Sequence, residues 1–390
     1  MSGATIYRAL AAEPALAQYV AQMTVGALST TPPSVPLPGR LGHPEYELRT
    51  DPRADPRMVA ALAPYGVDER AAPPPVSPDD PIEARLAYLA EAEAAFEGLF
   101  AALMADLPPV PGITHTTETI TGPDGGDLLL YIHRPEGLDG PLPGVLHIHG
   151  GGMTLLSGSG PAYVRWRDEL AASGMVVIGV EFRNASSVHG NHPFPAGLDD
   201  CATALDWVHA NRERLGLSKV IVSGESGGAN LTLATTLRAK RDGRLHMIDG
   251  VYALVPFISG AYGWPEDQMT AQFPSLLEND GYFVVNSSNA VVASAYDPDG
   301  SHARDPLCWP YWASEDDLRG LPPHTITVDE LDIFRDEGLG YYRKLVRAGV
   351  NATARMNAGV CHAGELMFRA AMPDLYLAAV TDIRGFAARV

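Results

Sequence analysis

The chain has 390 residues, 46% of them hydrophobic and 19% charged, a composition that supports a sizeable core and excludes a disordered chain. Its 28 Lys and Arg against 47 Asp and Glu give a formal charge of −19, which repels nucleic-acid phosphates and anionic lipid headgroups and favours neutral or cationic small molecules as partners. The cysteines Cys201, Cys308 and Cys361 are too few and too scattered for a disulfide framework or a zinc cluster, so the expectation is reduced thiols with no metal or other cofactor.

Met1 to Val20 has Arg8 as its one basic residue and is broken by Glu13 and Pro14, unlike a signal peptide. No window reaches the roughly 18 apolar residues of a membrane span. The expectation is a cytoplasmic protein without a membrane partner. Ile6, Leu10, Leu16, Tyr19, Val20 and Met23 have the spacing of a short amphipathic helix within residues 1 to about 30. Two proline-rich stretches, Pro32 to Pro38 and Pro73 to Pro78, read as extended linkers. A stronger helix follows, with Asp80 as its cap, Pro81 in its first turn and a stripe of Ile82, Leu86, Leu89, Phe96, Leu99, Phe100 and Leu103. These pieces are too thin for an independent core, so residues 1–111 are expected to form a cap segment over a domain spanning 112–390.

From Gly112 onward, apolar β-rich runs alternate with helical stretches, the pattern of an α/β fold with a mainly parallel sheet. Strands are predicted near Thr114–Ile120, Leu128–His133, Val145–His149, Met175–Phe182, Val220–Ser223, Gly250–Val255, Thr325–Val328 and Ala352–Met356. Helices are predicted near Ala162–Ser173, Pro195–Arg214, Ala229–Lys240, Gly338–Ala348 and Pro373–Ala388. Residues 259–305 break the alternation, and such an insertion suits a pocket wall or part of the cap.

Gly224-Glu225-Ser226-Gly227-Gly228 sits between the strand Val220-Ile221-Val222 and the helix from Ala229. A serine on a sharp strand-to-helix turn presents its hydroxyl at a helix N-terminus, with glycines at Gly224, Gly227 and Gly228 where other backbone must come close. Alone, the pattern also fits an ordinary turn. A nucleophile needs a base, the base needs an orienting acid, and on α/β-hydrolase sheets these follow in the order Ser, Asp or Glu, His. The predicted strand Thr325–Val328 runs into an acid-rich loop from Asp329 to Glu337, and His362 is the one histidine beyond it. His149-Gly150-Gly151-Gly152 ends another strand, and consecutive glycines let bare backbone amides face a developing oxyanion, joined by the amide of Gly227.

Each piece has a bland reading: Gly150–Gly152 as a flexible turn, His362 as a hydrogen-bonded loop histidine, the acids as a solvated face. Their occurrence together, in the required order and each after a predicted strand, favours the chemical reading. His147 and His149 face one way at i, i+2, but no nearby acid or cysteine in the sequence completes a metal set. Cys361 reads as a small buried residue beside His362. No phosphate-cradling glycine motif follows a strand, so nucleotide binding has no support.

These residues resemble the hormone-sensitive-lipase-like branch of α/β-hydrolase esterases. The resemblance runs from Gly112 to Val390 and rests on His149-Gly150-Gly151-Gly152-Met153, Phe182 to Ala185, His192 to Gly197, Gly224 to Asn230, Asp249 to Gly260, Pro274 to Phe283 and Leu331 to Gly338. It implies an α/β-hydrolase fold with an eight-stranded, mainly parallel sheet flanked by helices and covered by an N-terminal helical cap. It further implies Ser226 as nucleophile, His362 as base, Asp332 as the orienting acid and the amides of Gly151, Gly152 and Gly227 as the oxyanion hole. Asp329, nearer the strand end, is the second candidate for the acid. The pattern's usual Pro-Leu after the acid is Ile333-Phe334 here, and its usual Gly after the base is Ala363, changes that bear on the pocket rather than on the reacting groups.

The expected activity is hydrolysis of short or medium acyl esters, or of a lactone, by a serine carboxylesterase. A lactonase or amidase with the same residues is the alternative, and a non-catalytic binding protein on the same scaffold the remaining one. A small-molecule ester is the expected partner, with a homodimer as the assembly to test. Glu225 precedes the nucleophile, and its carboxylate is expected to turn away from the serine hydroxyl into a hydrogen-bonded layer behind it.

Overall fold

The alternation of apolar runs and helical stretches produces a single sheet of eight strands. They are β1 (Ile113–Thr121), β2 (Asp127–Pro135), β3 (Leu142–Ile148), β4 (Val176–Glu181), β5 (Leu217–Glu225), β6 (Gly250–Leu254), β7 (His324–Asp329) and β8 (Ala352–Asn357). The order across the sheet is β1-β2-β4-β3-β5-β6-β7-β8. The computed structural model describes residues 37–138, 140–186 and 190–390, and the expected helix within residues 1–30 lies outside them.

β1 pairs antiparallel with β2, and β2 antiparallel with β4. All remaining pairs are parallel. The residue pattern follows position. β1, rich in Thr, is the half-wet edge, whereas the apolar runs of β3, β4, β5 and β6 are buried on both faces. Within β5, Val220 and Val222 point into one core layer while Ile221 points into the other, the period-2 alternation of a pleated strand.

Helices cover both faces: α1 (Ile82–Met104), α2 (Pro161–Ala172), α3 (Ala196–Ala210), α4 (Gly227–Arg241), α5 (Asn286–Tyr296), α6 (Arg335–Arg347) and α7 (Pro373–Arg389). α5 arises in the 259–305 stretch, where no helix was predicted. Another difference concerns the start of α1. Pro81 is its N-cap residue rather than part of its first turn, and Asp80 instead accepts hydrogen bonds from the Ser77 amide and hydroxyl at 2.6 and 3.0 Å. Among the described residues, no helix is long and apolar enough to cross a membrane.

Parallel pairing sends the C-terminal ends of β3, β5, β7 and β8 to one edge of the sheet. The loops leaving that edge carry the residues from His149, Ser226, Asp329 and Asn357 onward, so segments far apart in sequence meet there.

Candidate active site

Ser226 stands between β5 and α4 with φ 56° and ψ −120°, a conformation that few non-glycine residues adopt. The surrounding backbone holds it there. Its amide donates to the Leu254 carbonyl at 2.9 Å, and its carbonyl accepts from the Asn230 and Phe257 amides at 3.1 and 3.2 Å. The flanking glycines are demanded by contact: a Cβ at Gly228 would lie 2.0 Å from the Ile148 carbonyl oxygen, and one at Gly227 would lie 2.5 Å from the Met153 amide nitrogen. The serine hydroxyl is thereby lifted off the sheet at the N-terminus of α4.

His362 reaches it from the loop after β8. Its Nε2 lies 2.9 Å from Ser226 Oγ, and its Nδ1 lies 2.8 Å from Asp332 Oδ2. Asp332 is fully buried, and its other oxygen accepts from the Phe334 amide at 3.0 Å. The structure therefore brings Ser226, His362 and Asp332 into one hydrogen-bonded line. Asp329, the second candidate for the acid, is directed elsewhere: it accepts from Asn357 Nδ2 at 2.7 Å and from the Gly364 amide at 3.1 Å.

The glycine turn after β3 lies against the other side of Ser226. Gly151 and Gly152 have φ of +99° and +63°, and a Cβ at Gly151 would meet the Leu155 carbonyl oxygen at 2.1 Å. Among the described residues, the amides of Gly151 and Gly152 meet no protein acceptor. The Gly227 amide belongs to the first turn of α4, where no intrahelical acceptor exists. Gly152 and Gly227 touch, since a Cβ at Gly227 would lie 2.6 Å from the Gly152 nitrogen.

Glu225 turns into the layer behind this turn. Its Oε1 accepts from the Gly150 amide at 2.5 Å, and its Oε2 lies 3.3 Å from His147 Nε2. Burial pushes its carboxyl up to about 7. Burial also lowers the two histidines of β3 and its end. His149 donates to or accepts from nothing at Ser226; its Nδ1 is 2.9 Å from the Gly150 carbonyl and its ring stacks on Phe182 at 4.3 Å. The parallel register of β3 and β5 sets Glu225 beside the end of β3, so an acid approaches His147, but His147, His149 and Glu225 are not among the metal-capable groups of the described residues.

A cavity of about 90 Å³ lies above Ser226 and His362. Phe96 and Phe100 of α1 form one wall, Phe283, Val284, Asn289 and Val292 of the 259–305 stretch another, and Leu366 and Met367 lie beyond His362. Two polar residues that the apolar stripe of α1 passed over anchor that wall. Glu93 accepts from the Leu156 amide at 2.7 Å, and Arg85 donates to the Ser294 carbonyl and hydroxyl at 3.0 and 2.8 Å. Both are buried.

Among the described residues, one group of metal-capable side chains converges: His115, His133 and Asp168. The histidines face each other across β1 and β2, a pairing that sequence spacing does not reveal. Both contact Asp168 Oδ1, at 2.6 and 2.7 Å, while Arg167 Nε donates to His133 Nε2 at 2.9 Å. An Nε2 that accepts leaves the proton on Nδ1, where it bonds Asp168, so the group reads as a hydrogen-bonded chain rather than a ligand set.

Residues 145–365 match the alpha/beta hydrolase fold family. Carboxylesterase NlhH of Mycobacterium tuberculosis is 30% identical over 278 residues, covering 70% of this chain and 81% of that protein. A tuliposide A-converting enzyme of Tulipa gesneriana is 27% identical over 278 residues, covering 67% and 68%. Among solved structures, brefeldin A esterase, described as a bacterial homologue of human hormone sensitive lipase, is 50% identical with a TM-score of 0.88 over 90% of this chain and 98% of its own. Esterase Est22 is 37% identical with a TM-score of 0.78 over 88% and 100%. The order of strands, the turn at Ser226 and these similarities agree: the chain belongs to the alpha/beta hydrolase family, in its hormone-sensitive-lipase-like esterase branch.

Proposed function

We propose that the protein is a serine carboxylesterase that works through Ser226, His362 and Asp332 and an acyl-enzyme intermediate. The observation that carries this reading is the line of contacts from Ser226 Oγ to His362 Nε2 and from His362 Nδ1 to Asp332, at 2.9 and 2.8 Å, beneath an apolar cavity. His362 Nε2 takes the serine proton as Oγ attacks the ester carbonyl carbon. Asp332 keeps the imidazole in the tautomer with Nδ1 protonated and stabilises the imidazolium. The carbonyl oxygen becomes an oxyanion facing the amides of Gly151, Gly152 and Gly227, and each such donor contributes about 3 to 4 kcal/mol in hydrolases of this kind. Collapse breaks the ester bond as His362 returns the proton to the departing alcohol. Water then gives its proton to His362 and attacks the acyl-enzyme, releasing the acid and restoring the serine.

The apolar lining of the cavity, Phe96, Phe100, Leu155, Leu366 and Met367 among it, supports neutral, apolar acyl groups of short to medium length. In this reading the described residues of the N-terminal segment from Ile82 to 111 and the 259–305 stretch act together as the cap, joined by Arg85–Ser294 and by Tyr88–Ser288, the latter at 3.0 Å.

The test is hydrolysis of p-nitrophenyl acetate and butyrate, with matched lactone and anilide substrates, by wild type, Ser226→Ala, His362→Ala and Asp332→Asn. Ser226→Ala and His362→Ala are each expected to lose about 10⁶-fold in kcat, and Asp332→Asn about 10⁴-fold. Undiminished turnover by pure Ser226→Ala overturns the mechanism. Faster turnover of the anilide or the lactone than of the ester replaces esterase by amidase or lactonase.

A further inference from the structure

The contact between Asp332 and His362 has a counterpart built from residues three positions away on each side. Asp329 precedes Asp332 by three residues at the end of β7, and Glu365 follows His362 by three. Both are buried, with exposures of 0% and 1%. Asp329 accepts from Asn357 and from the Gly364 amide, and Glu365 Oε1 accepts from the Thr327 hydroxyl at 2.9 Å. The two carboxyls lie next to each other, each close enough to act as the other's hydrogen-bond partner. A carboxylate has only acceptors, so that contact exists only with a proton between them. Glu365 Oε2 is buried and meets no donor among the described residues.

The other titratable groups facing the pair are Asp332 and His362 of the site, with Cys361 and Tyr252 behind them. Thr327 and Asn357, which complete the surroundings, are neutral. Two ionised carboxylates in contact at this depth would carry like charges without water to screen them. One shared proton removes the conflict.

We propose that Asp329 and Glu365 share a single proton and so clasp the loop bearing Asp332 to the loop bearing His362, as a positioning pair for the base. The inference rests on the reading of Ser226, His362 and Asp332 given above. The clasp grips where the chain is bent: Ala363 has φ +57°, and the next amide, Gly364, is the one that Asp329 holds. Burial pushes both carboxyls up from their ordinary range. The folded state therefore binds more protons here than the unfolded chain, and the clasp's contribution, full at low pH, is lost as pH rises through the raised values. Loss of the shared proton sets two like charges against each other beside His362.

The experiment compares wild type, Glu365→Leu and Glu365→Gln for kcat, KM and melting temperature from about pH 6 to about pH 10. Glu365→Leu removes the clasp. It is expected to lower kcat by about 10- to 100-fold, the scale of a displaced catalytic group, with KM changed less than about 2-fold. Glu365→Gln keeps an amide donor for Asp329 and no shared proton. It is expected to restore most of that kcat and to lack the alkaline fall of kcat and melting temperature seen in wild type. An alkaline fall in Glu365→Gln equal to that of wild type overturns the proposal, as does an unchanged kcat in Glu365→Leu. If Glu365→Leu does not fold, the Glu365→Gln curves decide. The melting series repeated in the Ser226→Ala background reads the clasp without turnover, so a failure of Ser226 as nucleophile is separable from a failure of the pair.

Discussion

The Phe334 ring meets the His362 imidazole edge to face, with centroids 4.9 Å apart and planes at 89°, while the Phe334 amide donates to Asp332 Oδ1 at 3.0 Å. One residue thus touches both partners of the His362–Asp332 contact. Its ring is braced from behind by Phe257 and Tyr262, at 5.0 and 5.4 Å, and it forms part of the cavity wall. The family resemblance usually places a leucine at this position, where this chain has phenylalanine.

Phe334→Leu keeps the backbone bond to Asp332 and removes the edge contact, worth about 0.5 to 1.5 kcal/mol. It also enlarges the cavity beside His362. The expected result is a kcat on the acetate ester lowered about 3- to 10-fold, with the preferred acyl chain shifted to greater length. Steady-state kinetics over a series of p-nitrophenyl esters from acetate to octanoate checks this. An unchanged chain-length profile would mean that Phe334 does not shape the acyl site.

Much of the site is legible in the sequence because it is local. Ser226 is marked by strand, turn and helix within a dozen residues, and His362 by chain order. The acid is less so. Asp329 is the last residue of β7 and Asp332 follows it, and what separates them is three-dimensional: Asp329 lies at the strand end, where neighbouring β8 offers Asn357, whereas Asp332, three residues on, contacts His362. The cavity walls are harder still. Arg85 and Glu93 interrupt an apolar stripe and so read as exposed, yet each is buried because its partner arrives from a distant segment, Ser294 or Leu156. α5 itself, polar at Asn286, Ser287 and Ser288, owes its place to packing rather than to an amphipathic pattern.

Glu225 supplies a pH-dependent prediction independent of turnover. Burial raises its carboxyl from 4.5 to about 7, so the folded state holds a proton that the unfolded chain releases. Stability from this group is full below about pH 4.5 and is lost as pH rises to about 7, in total about 3 kcal/mol. Glu225→Gln still accepts the Gly150 amide and carries no charge. It is expected to be the more stable protein at pH 7, with a shallower fall between pH 5 and pH 7. Glu337, pushed by burial to about 8, continues to titrate in both proteins, so the difference between their curves isolates Glu225. Urea denaturation at pH 5 and pH 7 measures it, and equal slopes in the two proteins would refute the assignment.

The turn around Ser226 predicts that one substitution has opposite effects at two glycines. At Gly228, an added methyl would sit 2.0 Å from the Ile148 carbonyl oxygen and 2.5 Å from that of His149. Both obstacles are backbone at the end of β3, the strand beside β5, so neither can rotate away as a side chain would. α4 must move off the sheet, and Ser226 and the Gly227 amide move with it. Gly228→Ala is therefore expected to cost about 3 kcal/mol or more and to abolish esterase activity in whatever protein folds. Gly98 lies within α1 with nothing within 4 Å of the corresponding position and is exposed. There alanine only reduces the freedom of the unfolded chain and improves helix propensity, so Gly98→Ala is expected to stabilise by up to about 1 kcal/mol. Paired denaturation curves test both signs together. Tolerance of Gly228→Ala with full activity would mean that β3 and α4 are not in the tight contact on which the position of Ser226 depends.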